Sequence, residues 1–457
     1  MVQWEAWDEA AFARAAREAK PVLLSITAAW CRACHAMDRT TYADPAVAAL
    51  IADRFVPVRV DTDHRPDINE RYNLGGWPTT AFLTADGALI TGGTFVTLER
   101  MPGVLTRVAE AHAARAADWA GECATEYPEQ TEDDAAATDD DLVGAIFSTF
   151  DEECGGFGVE PKFPHAAPLH LALMLYRDGG DERWRAMVER TLDAMWTGGL
   201  WDPSAGGFYR YAASRDWQQP HVEKLLETNA ALLAVTVDAA VGLGREADRD
   251  RAAAIARFIT TSLRDPRGGY YGSDADRTLY VDGNAQAASA LMKAAVALED
   301  DALAREALAS LERVILSCYR PGDGVAHEPE HGVRGLLADQ IAAMAALLDA
   351  HDLTAGEPYQ MMAEELGYYV VGRLEDAEAG GFFDRTAGAA DVGLLRMRRK
   401  PFAANAEAAI ALGRLQRISR EYDFASAAAG ALRAAARQAS RQGPLAAHYI
   451  LAARFLR

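Results

Sequence analysis

The stretch that most constrains this chain is Ser25–Met37, SITAAWCRACHAM. An apolar run, Pro21–Ile26, ends in small residues and passes into Trp30-Cys31-Arg32-Ala33-Cys34-His35. That pattern reads as a strand entering a helix, with two cysteines on the first helical turn. Unpaired backbone N–H groups there favour a thiolate, so a first-turn cysteine can have its pKa lowered. Two intervening residues let both sulfurs share a turn and close a small disulfide ring. C-x-x-C beside a β–α–β pattern points to a thioredoxin-like redox pair. C-x-x-C-H also fits c-type haem attachment, but that needs export, and the strand-to-helix pattern explains the spacing without haem. Half a zinc site would need a second Cys/His pair, and none has suitable spacing. A thioredoxin fold whose cysteines no longer turn over stays open as the bland alternative.

The flanking residues supply the remaining elements of such a fold. Trp4–Ala19 has helical spacing, and Asp44-Pro45 starts a helix through Ile51. Phe55–Val60 alternates as a strand, and a polar helix is expected near Asp67–Tyr72. Thr80–Leu83 and Ala88–Gly92 form a hairpin around Ala85-Asp86-Gly87, and Leu98–Ala114 closes with a helix. Pro78 follows Gly75-Gly76-Trp77, where thioredoxin-like folds put a cis-proline facing the cysteines. Ser25 stands where thioredoxins keep a buried acid, so proton transfer to Cys34 is expected to be slow and general reductase turnover is disfavoured.

At 457 residues the chain is long enough for two or three domains. Its five cysteines (31, 34, 123, 154 and 318) make one close pair, so it is no disulfide scaffold. A net charge of −21 argues against nucleic acid or anionic membrane as a partner. No apolar run reaches eighteen residues and the N-terminus has no signal-peptide core, from which a soluble, cytoplasmic protein is expected. Basic residues are nearly all arginine. The lysines are only 20, 162, 224, 293 and 400, and a retained lysine suggests a need for a compact ammonium.

Beyond residue 115 the pattern changes. Residues 116–140 are acidic and alanine-rich and read as a solvated linker. From 141 onward Gly-Gly-aromatic recurs at 155–157, 206–208, 268–270 and 380–382, with a degenerate Gly322-Asp323-Gly324-Val325 between the last two. Such intervals hold about two helices and their loops. Twelve segments with helical spacing lie between the turns, and six helical hairpins would close into an (α/α)6 toroid. The expected fold is therefore multidomain: an α/β thioredoxin-like domain over 1–115 and an all-α toroid over 141–457.

Several motifs in one order carry a family resemblance. Trp30-Cys31-x-x-Cys34-His35-x-Met37, Arg65-Pro66-Asp67, Gly75-Gly76-Trp77-Pro78, Pro161-Lys162-Phe163-Pro164, Pro220-His221-Val222-Glu223-Lys224 and Gly269-Tyr270-Tyr271-x-x-Asp274-Ala275-Asp276 resemble the spermatogenesis-associated protein 20-like family. The resemblance implies a thioredoxin-like domain fused to an α/α barrel similar to glycan-processing enzymes, the six-hairpin glycosidase-like fold. This chain departs from the family in having Arg32-Ala33 where relatives typically carry His-Trp, and in its compact third-to-fourth interval.

A toroid gathers side chains from its inter-helix loops into one funnel. The candidate acids and bases are Asp202, His221, Glu223, Asp274, Asp276, His327 and Glu328. Glycoside hydrolysis needs two carboxyls across a bond; epimerisation needs two bases facing one carbon, where histidines serve. His221, Glu223 and Asp276 are the catalytic candidates, with His221 at a helix start and Glu223 in its first turn. The competing reading is that Glu223 and Asp276 cap helices and His221 holds a loop. Lys162, Asp202, Trp217, Lys224, Asp274 and His327 are the substrate-binding candidates. Asp339-Gln340, Lys400-Pro401 and Asn405 read as helix entrances. Three functions follow: a thiol–disulfide protein using Cys31, Cys34 and Pro78 with a redox partner protein; a carbohydrate-processing enzyme, hydrolase or epimerase, with a carbohydrate ligand; or a non-enzymatic binding module. No cofactor or metal site is expected.

Overall fold

The computed structural model describes residues 1–119, 138–330, 332–419 and 422–457. The chain forms two compact units: Met1–Thr131 with Arg385–Arg399, and Glu132–Asp384 with Lys400–Arg457. Most of the expected linker lies outside the described residues.

In the first unit, helix α1 (Glu9–Glu18) begins later than the sequence suggests, because the Asp8 carboxylate accepts the Ala11 N–H and fixes the start. Residues before it are extended, and Glu5 pairs with the backbone of Pro57 and Arg59. Strand β1 (Val22–Thr27) runs into α2 (Arg32–Met37), which is followed by a wide π-turn over Asp38–Tyr42. Then come α3 (Pro45–Arg54), β2 (Val56–Asp61), α4 (Pro66–Tyr72), β3 (Thr79–Leu83), β4 (Leu89–Gly93) and α5 (Met101–Trp119). The sheet order is β2-β1-β3-β4, with β1 parallel to β2 and antiparallel to β3. Central β1 is buried on both faces, which explains its unbroken apolar run.

Residues 385–399 complete this unit, although in sequence they fall among the helical hairpins. Arg71 donates to the carbonyls of Leu394 (2.9 Å) and Met397 (2.8 Å). The Tyr72 hydroxyl donates to Gly87 O and accepts from Leu394 N–H, and Val392 and Leu395 join the core around Trp7 and Tyr72.

The second unit is mainly helical, with two short two-stranded ribbons in the segments between helices. Its helices are α6 (Asp139–Ser148), α7 (Ala167–Gly179), α8 (Glu182–Thr197), α9 (Leu226–Leu243), α10 (Glu246–Ser262), α11 (Val281–Leu298), α12 (Asp301–Cys318), α13 (Leu337–Thr354), α14 (Glu357–Leu374), α15 (Phe402–Ile418), α16 (Phe424–Ala436) and α17 (Ala447–Leu456). Alternate helices α7, α9, α11, α13, α15 and α17 each pack on the next, and α17 returns to α7, so the inner ring closes. The other six lie outside it. The fold is thus a thioredoxin-like α/β unit and an (α/α)6 toroid. Helix α9 is long and apolar enough by composition to cross a membrane, but it is an inner stave with more than half of its residues buried.

The Gly-Gly-aromatic turns share one construction. An Asp opens each, at 151, 202, 265 and 376, and its N–H donates to the carbonyl of the second glycine. Gly269 shows why glycine is needed: its φ is +84°, and a Cβ there would sit 2.8 Å from Val314. From the first turn of the following inner helix, Asn229, Asn284 or Asn405 clamps the aromatic residue's N–H and C=O; Gln340 does the same for Val325 in the degenerate turn.

Candidate functional sites

Cys31 occupies the cap position of α2, where its Sγ accepts the Cys34 N–H (3.1 Å) and is joined to the Cys34 sulfur in a disulfide. Both residues are buried, at 5% and 2% exposure. The preceding Trp30 anchors its indole N–H on Asp63 (2.6 Å) and meets Trp77 edge-on at 5.5 Å. Trp77 carries the cis bond to Pro78, so the tryptophan pair fixes the proline loop beside the cysteine turn. Ser25 is fully buried next to Tyr42, whose hydroxyl contacts Thr80 (3.4 Å). Hydroxyls therefore occupy the position where thioredoxins hold an acid, and burial pushes the Tyr42 phenol up.

The helical unit distributes its candidates among several local structures. Lys162 is fully buried and donates to Asp151 (2.6 Å), which Arg215 also grips through two 2.7 Å bonds. Burial alone would raise the Asp151 carboxyl, but Arg215 and Lys162 hold it well below the usual range. Lys224 likewise binds Asp202 (2.7 Å) and Gly206 O, and Lys400 binds Asp376 (2.6 Å) and Gly380 O. In the third turn Arg313 takes this place, donating to Gly268 O. Three of the five lysines are thus turn locks. Trp217 is fully buried and donates to Cys154 O (3.0 Å), as a wall residue of the first turn.

His221 and Glu223 do not open a helix. His221 pairs with Tyr211 in a two-residue ribbon and stacks exposed on its ring at 4.1 Å; α9 starts only at Leu226. Extended pairing wins because Leu225 bridges to Ser273. Glu223 is half-buried, and its backbone carbonyl accepts the Arg210 N–H. Asp274 is exposed in a turn, while Asp276 accepts from Thr278 N–H and from the Tyr280 hydroxyl (2.7 Å). Tyr280 lies against His327, whose Nδ1 is 2.8 Å from Asp339. Glu328 is buried beside it in sequence.

The ring encloses a cavity of about 1080 Å³ whose polar lining includes His165, Arg210, Glu227, Gln286, Glu407 and His448. Burial, then the charge of Asp282, pushes the Glu407 carboxyl up to about 7. Burial, with His170 and His165 nearby, pushes the His448 imidazole down to about 4, and its Nδ1 lies 3.6 Å from Glu407. Glu407, whose side chain keeps 46% of its surface open to the cavity, and His448 thus shift in opposite directions, a carboxyl that holds its proton more readily beside an imidazole that gives its proton up. Glu227 is raised as well, by burial and then by Asp282.

Sequence reading missed Glu227, Glu407 and His448. A signal was available in the clamp residues: Glu227 and Asp282 stand two before Asn229 and Asn284, and Gln286 and Glu407 two after Asn284 and Asn405.

Comparison with known proteins fits these two halves. Residues 1–124 match the family described as Thioredox_DsbH, a protein of unknown function. Human spermatogenesis-associated protein 20 is 31% identical over 314 residues, covering 60% of this chain. Over that stretch the chain is similar to spermatogenesis-associated protein 20. An uncharacterised Caenorhabditis elegans protein is 32% identical over 268 residues, or 52% of this chain. The alignments span 39% and 36% of those two proteins, so this chain matches under half the length of each. Among solved structures, a sugar epimerase from a ruminal bacterium superposes with a TM-score of 0.56 at 14% identity, covering 64% of this chain and 82% of that one. The GH76 α-mannanase of Bacteroides thetaiotaomicron gives 0.54 at 10%, covering 69% and 94%. At such identities the likeness is one of fold.

Proposed function

We propose that the N-terminal unit performs thiol–disulfide exchange. The observation that carries the reading is the Cys31–Cys34 disulfide at the head of α2, beside the Pro78 loop. In the oxidising direction, a partner protein's thiolate attacks one sulfur of the pair. A mixed disulfide forms and the other sulfur leaves as a thiolate. A second partner thiol then releases the pair reduced, and the partner leaves oxidised. In the reducing direction Cys31 attacks a partner disulfide and Cys34 resolves the adduct. The Cys34→Ser variant is expected to accumulate mixed disulfides through Cys31 with a disulfide-bonded test protein, read by non-reducing gels and mass spectrometry. Absence of adducts in Cys34→Ser, or equal adducts in the Cys31→Ser/Cys34→Ser double variant, would remove the proposal.

For the helical unit the same reasoning favours a carbohydrate-processing site built on Glu407 and His448. The supporting observation is their 3.6 Å approach on the wall of a cavity of sugar-accommodating size. Proton transfer on one side of a bound sugar fits the pair, with the imidazole taking a proton and the carboxyl giving one. Thermal shifts with D-mannose, cellobiose and mannan oligosaccharides are expected to identify a ligand, and Glu407→Gln to abolish its turnover. A ligand bound but unchanged by wild type would make the unit a binding module. Equal turnover in the variant would remove Glu407 from the reaction.

A further inference from the structure

Asp282, His327 and Asp339 come from two inner helices and the strand-turn between them, and each offers a ligand atom within 4.8 Å of the others. Asp339 is fully buried. Its Oδ1 lies 2.8 Å from His327 Nδ1 and the Asp282 backbone N–H also faces the carboxylate, while Oδ2 makes no hydrogen bond of ordinary geometry. A buried carboxylate oxygen without a partner is costly, and a second carboxylate within the same small space adds repulsion. The Tyr280 ring packs against His327 and the Tyr280 hydroxyl donates to Asp276, which limits the imidazole's freedom to turn.

We propose that Asp282, His327 and Asp339 bind one divalent first-row transition-metal ion. Two carboxylate oxygens and one imidazole nitrogen suit manganese, iron or zinc, and three protein ligands leave positions open for water or a ligand. The cation would neutralise both carboxylates and give Oδ2 a partner. Asp282 is only half-buried, so the cluster is reachable from solvent on its side. The site is independent of the two readings above, since binding is measured without turnover. Its three residues fall at irregular spacing, 282, 327 and 339, which conceals them in the sequence.

The test uses the full chain, stripped with chelator and dialysed against Mn²⁺ or Zn²⁺, with retained metal read by elemental analysis. About one equivalent of one of these ions is expected. Asp339→Asn and Asp282→Asn should each weaken retention by about 100-fold or more, beyond what supporting residues usually contribute. Asp282→Asn alters the half-buried ligand and keeps the test valid if Asp339→Asn fails to fold. Asp349→Asn, on the cavity wall away from the cluster in sequence, should bind as wild type. No ion retained by wild type, or undiminished retention in Asp282→Asn, overturns the proposal.

Discussion

An Asp151→Ala variant is expected to lose about 3–5 kcal/mol of unfolding free energy, the usual consequence of stranding one partner of a buried ion pair. Lys162 has no exposed surface and keeps only the Arg215 carbonyl (3.0 Å) and the Trp217 ring (5.3 Å) once the carboxylate is gone. Arg215 is different, because its side chain is 41% exposed and can turn to water. Lys162→Met should therefore be milder than Asp151→Ala: it removes the buried charge and leaves Asp151 paired with Arg215. Arg183→Ala, which removes an exposed partner of Asp181, should leave the urea midpoint nearly unchanged. Urea midpoints of the three variants check the order. The pH dependence has a definite sign as well. The Asp151 carboxyl is depressed in the folded state, so its contribution is complete above the unfolded value near 4 and is lost as pH falls toward the lower folded one. The gap between wild type and Asp151→Ala should narrow in acid. A gap that stayed constant would show that Asp151 acts by packing rather than charge.

The lysines show how far the residues alone could be read. In an arginine-rich chain each retained lysine marks a place where a compact ammonium is needed, and three of the five proved to meet that need at Asp151, Asp202 and Asp376. What the sequence did not reveal was the partner, because the Asp–Lys separation differs from turn to turn and the pairing closes only in space. The two architectures were legible for a simpler reason. A buried β1, a first-turn C-x-x-C and a diglycine at four of the hairpin turns are local requirements of backbone and burial, and they survive without knowledge of distant contacts. Side-chain facing is not local. His221-Val222-Glu223-Lys224 has the composition of a helical first turn, yet cross-chain pairing with Tyr211 and Ser273 keeps it extended and moves the real first-turn acid to Glu227. Glu407 and His448 became neighbours only because α15 and α17 are adjacent in the closed ring. The placement of 385–399 in the thioredoxin-like unit likewise rests on contacts with Arg71 and Tyr72, more than 300 residues away in sequence.

The clamp asparagines carry the second large effect, and Asn284 is the sharpest case. It accepts the Tyr270 N–H (2.7 Å) and donates to Tyr270 O (2.9 Å) and Tyr280 O (2.8 Å), all in buried surroundings. Asn284→Ala orphans the Tyr270 N–H and C=O, while Tyr280 O keeps the backbone N–H of residue 284 (3.0 Å); at about 1–3 kcal/mol for each orphaned group, a loss of about 2 kcal/mol or more is expected from denaturant melts. Asn284→Asp separates hydrogen bonding from shape. Near neutral pH its carboxylate still accepts from Tyr270 N–H but meets two carbonyl oxygens with no proton to offer, so it should be at least as destabilised as Asn284→Ala. Burial and those carbonyls raise the folded-state pKa of the introduced acid above its unfolded value near 4. The folded state then holds the extra proton in the window between the two values, and stability falls as pH rises through it. In acid the protonated group regains one donor, and Asn284→Asp should recover relative to Asn284→Ala. If the two variants kept the same separation from pH 4 to pH 8, the clamp would owe its strength to filling space, and the repeated asparagine would need another explanation.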